Sequence, residues 1–190
     1  MKMELQIADI LSVANSQLVC SIVISEYPKQ CNKNYDPTSV IDNFWMNTCK
    51  TYFYESLLLT ATLLNKDKRA ISFCNWSNFA NNNKEWLDQQ SEEFKRLGLK
   101  TVRDQIVGHV DSSNHNNRMP RQRRQGVVNE VLIKNLNTIL QSLIDKFDEF
   151  TRQNNNPYSR ESFFGGDQAR EEVELAISQA KPKLTNNFVI

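Results

Sequence analysis

The chain has 190 residues, of which 39% are hydrophobic and 24% charged, with a formal net charge of +1. This balance suits one domain of ordinary size with apolar material for a core, and it excludes a disordered chain. It also excludes a global field that draws nucleic acid or membrane, so any electrostatic recognition has to be local.

Only 5 glycines and 5 prolines occur, which favours long helices over many short strands and turns. Residues 3–27 carry Leu5, Ile7, Ile10, Leu11, Ala14, Leu18, Ile22 and Val23, mostly at helical spacing. "YPKQCNKNYDP" reads as a loop. Thr38 or Ser39 then caps a second helix over 39–64, with Asp42 three residues after Ser39 in a capping-box pattern. Its stripe, Ile41, Phe44, Trp45, Cys49, Phe53, Leu57, Ala61 and Leu64, is wide enough for packing on more than one side. Asp67 is expected to open a third, short helix through Ile71, Phe73, Cys74 and Trp76 to Phe79, broken by the asparagines at 81–83. A fourth helix covers 84–98, with Gly98 as its stop.

A fifth helix follows over 101–109. The segment 112–126 is polar and reads as an exposed loop. Residues 127–151 form the cleanest amphipathic pattern, through Val128, Leu132, Leu136, Ile139, Leu140, Leu143, Ile144, Phe147 and Phe150. A last, acidic helix is expected over 167–180. The expected fold is therefore all-α: an antiparallel up-and-down helical bundle over 1–152, with 153–190 a loop, an additional C-terminal helix and a tail. The tryptophans Trp45, Trp76 and Trp86, with Phe44, Phe53 and Phe94, read as core.

Cys20, Cys31, Cys49 and Cys74 form no CxxC pair, so a zinc ribbon or a redox motif is not supported. They read as small core hydrophobes in a reducing compartment. Glu4 and Asp9 interrupt the opening turns of any signal peptide, and the apolar runs "LVCSIVI" and "LLLTATLL" are too short to span a bilayer. The expectation is a cytoplasmic protein without a membrane partner. With 2 histidines and no clustered cysteines, neither a metal nor another cofactor is expected. No Glu-x-x-His pair of a diiron bundle occurs, and no Gly-rich phosphate loop.

Chemistry concentrates in "RDQIVGH", residues 103–109. Thr101 is placed to cap a helix and Asp104, three residues on, to complete the box, which gives Asp104 a purely structural reading. Arg103 and His109 are six residues apart and point about 120° apart on an ideal helix, so they need a shared groove to act together. Gly108 is poor in a helix by about 1 kcal/mol, but it lets another backbone come close beside His109.

An arginine, a polar residue directly after it, a short spacer and a histidine, late in an all-α chain of this size, resemble the R-x4-6-H signature of the HEPN superfamily. Arg103, Asp104 and His109 fill its positions. The flanking helices resemble the AbiU-like, abortive-infection branch, over roughly residues 1–150. The resemblance implies a metal-independent endoribonuclease of toxin–antitoxin or phage-defence type. In it His109 transfers a proton or contacts phosphate, Arg103 stabilises the phosphorane and Asp104 orients its partners. It also implies a homodimer with a composite site, Gly108 at the dimer contact, RNA as partner and an antitoxin protein as a further one. Relatives regulated by tyrosine modification carry Tyr two positions after the histidine; here Asp111 stands there, so that control is not supported.

Arg118, Arg121, Arg123 and Arg124, with no acid between Arg118 and Gln125, read either as contacts to an RNA backbone or as a solvated loop. His115, among asparagines, reads as exposed and passive. The alternative to the enzyme is a non-catalytic dimeric helical module that binds RNA or a protein partner, with "RDQIVGH" kept as a dimer contact.

Overall fold

A computed structural model describes residues 3–30, 38–111, 128–154, 169–176 and 178, with the backbone alone at 27–30, 41 and 107–111. The regular structure among the described residues is helical, with no strand. Five long helices occur in order: α1 (Met3–Gln30), α2 (Val40–Leu63), α3 (Ser77–Arg96), α4 (Leu99–Asp111) and α5 (Glu130–Gln153). A sixth, α6, covers 169–176.

The core forms where α1, α2 and α5 meet, with α3 and α4 closing it. On α1, Ile7, Leu11, Ala14 and Leu18 are fully buried. They face the stripe Cys49, Phe53, Leu57 of α2 and Leu136, Ile139, Leu140, Leu143, Phe147 of α5. The expected breadth of packing on α2 is found: it touches α1, α4 and α5. Its cap is also found, as Ser39 Oγ accepts the Asp42 N–H at 3.2 Å. Asn129 caps α5 in the same way, accepting from the Leu132 N–H at 2.9 Å.

Between α1 and α2 the packing is close and partly polar. Ser56 donates to the Ala14 carbonyl at 2.8 Å, and Ser21 and Cys49 exchange bonds to each other's carbonyls. Burial raises the thiol pKa of Cys49, Cys74 and Cys20, as expected of inert cysteines in apolar surroundings. Over Met3–Glu26, α1 has the length and apolarity of a membrane span, because isolated Ser, Asn and Gln interrupt its runs without lowering its average much. Half of that window is buried inside the bundle.

Before the α3–α4 corner the chain departs from expectation in four places. The helix expected over 67–79 is absent: 65–76 is an irregular connection knit by side chains. Asn65 Oδ1 accepts the Asp67 N–H, Asp67 Oδ1 accepts the Arg69 N–H, and Asn75 Nδ2 donates to the Asp67 and Ala70 carbonyls. Asn and Asp side chains compete here with the helical ladder and win. The asparagine run does not end a helix either. It lies inside α3 as a kink at Asn83 (φ −130°, ψ 24°), whose amide donates to the Phe79 carbonyl at 3.0 Å. Third, α1 continues to Gln30, through part of the segment expected to be loop. Fourth, Phe44 is not core. It is 59% exposed, one position off the stripe, and meets the edge of Trp45.

In place of the missing helix stands an aromatic cluster. Phe73 and Phe79 are fully buried, with centroids 4.7 Å apart. Trp76 stacks on Phe79 at 5.5 Å, and Phe150 meets both edge-on. This cluster ties the 65–76 connection and α3 to α5. On the other side, Val173 of α6 packs beside Val19, Val23 and Trp45.

At the α3–α4 corner Gly98 adopts φ +77°, the left-handed conformation glycine tolerates. A Cβ added there meets nothing within 4 Å, so a substitution carries only the backbone penalty. Gly98→Ala is expected to destabilise the protein by about 1 kcal/mol, read as a shifted urea midpoint with an unchanged slope.

Candidate functional site

The reversal at Gly98 decides where the candidate residues stand. Because α4 starts at Leu99, its ladder begins with the Val102 N–H to the Gly98 carbonyl at 3.3 Å. Thr101 is thus inside the helix, and the expected capping box with Asp104 does not form. Leu99 is fully buried, and Val102 and Ile106 pack against the core at helical spacing. Asn135 of α5 clamps the corner by donating to the Leu97 carbonyl at 3.2 Å.

With that face inward, Arg103 is left on the shoulder of α4, its side chain 33% exposed. Asp104 Oδ1 accepts from Arg103 Nε at 2.8 Å and also from Nη2. One edge of the guanidinium is thereby held; the fork carries further donors on its other edge. An exposed pair of this kind adds little to stability, within about 1 kcal/mol. Its physical effect is to hold the orientation of the arginine.

The Arg103 side chain borders a cleft of about 220 Å³ between the end of α2, the second half of α3 and the start of α4. Buried Phe94 and Leu64 belong to its lining, and Lys66, Lys95 and Lys100 border it with Arg103. Lys66 reaches Asp88 at 2.7 Å; the bond raises the lysine pKa and holds the Asp88 carboxyl below its usual range. Lys95 pairs with Glu92 at 2.6 Å.

His109 and Gly108 lie on α4 by their backbone, one and a half turns beyond Arg103; their side-chain surroundings lie outside the described residues. Arg118, Arg121, Arg123, Arg124 and His115 also lie outside them. The structure therefore brings together Arg103 and Asp104, and it sets beside them three lysines that sequence reading passed over. Lys100 carried a legible signal, a cation in a first helical turn with no acid in it. Lys66 and Lys95 carried none, because their approach to Arg103 depends on how three helices end at one corner.

A second recess, of about 260 Å³, lies between α1, α2 and the start of α5, lined by Asp42, Trp45, Cys49 and Glu130 among others; no sequence-predicted site residue borders it. Among the described residues, no three His, Cys, Asp or Glu side chains cluster as a metal site. No protein family, no characterised protein and no solved structure matches this chain.

Proposed function

We propose that the chain is a metal-independent endoribonuclease of HEPN type, built as an antiparallel up-and-down bundle and acting as a homodimer. Its setting is cytoplasmic, in toxin–antitoxin or phage-defence biology, with an antitoxin protein as a further partner. One observation carries the reading beyond the resemblance in "RDQIVGH": Arg103 stands at a solvent-reachable cleft, oriented by Asp104 and not consumed in the core.

The chemistry follows from the residue types. The RNA 2′-OH attacks the adjacent phosphorus as His109 takes its proton. The bond from O2′ to phosphorus forms and the bond from phosphorus to O5′ breaks. The departing 5′ oxygen takes up a proton, leaving a 2′,3′-cyclic phosphate and a 5′-hydroxyl. Charge grows on the phosphorane oxygens in between, and the Arg103 fork matches it. The composite arrangement, with Gly108 at the dimer contact, supplies a second histidine and arginine from the other subunit. Arg118, Arg121, Arg123 and Arg124 hold the RNA backbone.

End-group mapping tests this. Purified protein in excess EDTA is expected to yield fragments with 2′,3′-cyclic phosphate and 5′-hydroxyl ends. Products with 5′-phosphate ends, or cleavage abolished by EDTA, contradict the mechanism. RNA binding with no cleavage at all assigns the non-catalytic module instead.

A further inference from the structure

Four cations line the cleft beside Asp104, and no acid is among its lining residues. Helix energetics accounts for two of them. A cation is favourable near a helix C-terminus, and Lys66 and Lys95 stand where α2 and α3 end. The same rule disfavours Lys100. It lies in the first turn of α4, which like that of α3 holds no acid, whereas α1, α2 and α5 carry Glu4, Asp42 and Glu130 there. Lys100 is exposed and forms no ion pair among the described residues.

The acids nearby do not close the cleft. Asp88 and Glu92 are contacted from it by Lys66 and Lys95, in exposed pairs of little net worth that an incoming anion displaces readily. A phosphodiester carries a single negative charge. Four cations from three separate elements therefore match a run of linked phosphates better than one isolated anion.

We propose that this cleft is a backbone groove for single-stranded RNA, in which Lys66, Lys95 and Lys100 hold phosphates adjoining the one at Arg103. The choice of RNA as the polyanion rests on the ribonuclease reading of Arg103; the groove itself rests on the lysines.

The test is a titration of a fluorescein-labelled, uncleavable 2′-O-methyl oligoribonucleotide, followed by anisotropy across salt concentrations. Wild type is compared with Lys95→Gln/Lys100→Gln and with Lys84→Gln/Lys134→Gln, which removes the same charge from exposed positions outside the cleft. Circular dichroism checks that all three are folded. In the cleft variant the slope of log K against log salt is expected to fall by about 1.4, two phosphate contacts at roughly 0.7 each on a single strand, while the control keeps the wild-type slope. An unchanged slope in the cleft variant, or an equal fall in both variants, overturns the groove. If wild type cuts RNA and the cleft variant binds normally, the ribonuclease reading stands and the groove falls. If binding depends on the cleft lysines and wild type cuts nothing, the groove stands and the catalysis falls. Wild type that binds no oligonucleotide overturns both.

Discussion

His109→Ala is expected to lower the rate of RNA cleavage by about 10²–10⁴-fold, the range over which a positioned proton-transfer group acts. Arg103→Ala is expected to cost about 10²–10³-fold, as for loss of a donor aimed at developing charge. Arg103→Ala should keep the wild-type melting temperature within about 2 °C. Arg103 is part-exposed and its pair with Asp104 is open to solvent, so the fold depends little on it. Arg103→Lys separates charge from geometry. It keeps the cation but loses the fork, and it is expected to recover only part of the activity. Asp104→Asn should fall between these and wild type if, as proposed, Asp104 acts through its hydrogen bond to Arg103. Single-turnover cleavage of a labelled RNA, at saturating protein, reads the chemical step. Equal rates in wild type, His109→Ala and Arg103→Ala would sink the mechanism.

The largest expected effect on stability is at Phe79. Its side chain is fully buried and meets Phe73 at 4.7 Å, Phe150 at 5.1 Å, Trp76 at 5.5 Å and Trp86 at 6.1 Å. Phe79→Ala removes the ring at the centre of the cluster and leaves a cavity, at a cost of about 3–5 kcal/mol. That is a large share of the roughly 5–15 kcal/mol that holds a domain together. The consequence reaches the cleft, since the cluster fixes α3 and the connection carrying Lys66 against α5. Phe44→Ala is the matched control: the same truncation at a 59% exposed ring is expected to change stability by no more than about 0.5 kcal/mol. Urea unfolding of the two variants beside wild type measures both. A loss at Phe44 equal to that at Phe79 would contradict the packing described.

How far these features were legible in the sequence differs from element to element. The period of apolar residues on α5 is nearly ideal, and the helix lies within two or three residues of its expected span. On α2 the Ser39–Asp42 pattern marked the first turn, because a cap is a local hydrogen bond between near neighbours. The segment 65–79 misled for a related reason. Its apolar residues sit at helical spacing, yet Asn65, Asp67, Ser72 and Asn75 offer local partners to the backbone. The aromatic residues gain more by converging on Phe147 and Phe150 than by forming a helical face. Phe44 misled because a wide stripe does not say which edge of it remains uncovered.

Local chemistry in the sequence was enough to determine the all-helical class, the cap of α2, the stop at Gly98 and the adjacency of Arg103 to Asp104. Each depends on residues within about one helical turn of one another. The start of α4 at Leu99 was decided by tertiary structure, which buries Leu99 and clamps the Leu97 carbonyl with Asn135. The same packing brings the end of α2, the last turns of α3 and the first turns of α4 to one corner. A charge pattern read along the chain spreads Lys66, Lys95, Lys100 and Arg103 over 38 positions. Only the packing of three helix ends gathers them round one cleft, because proximity between elements is set by which faces the core buries.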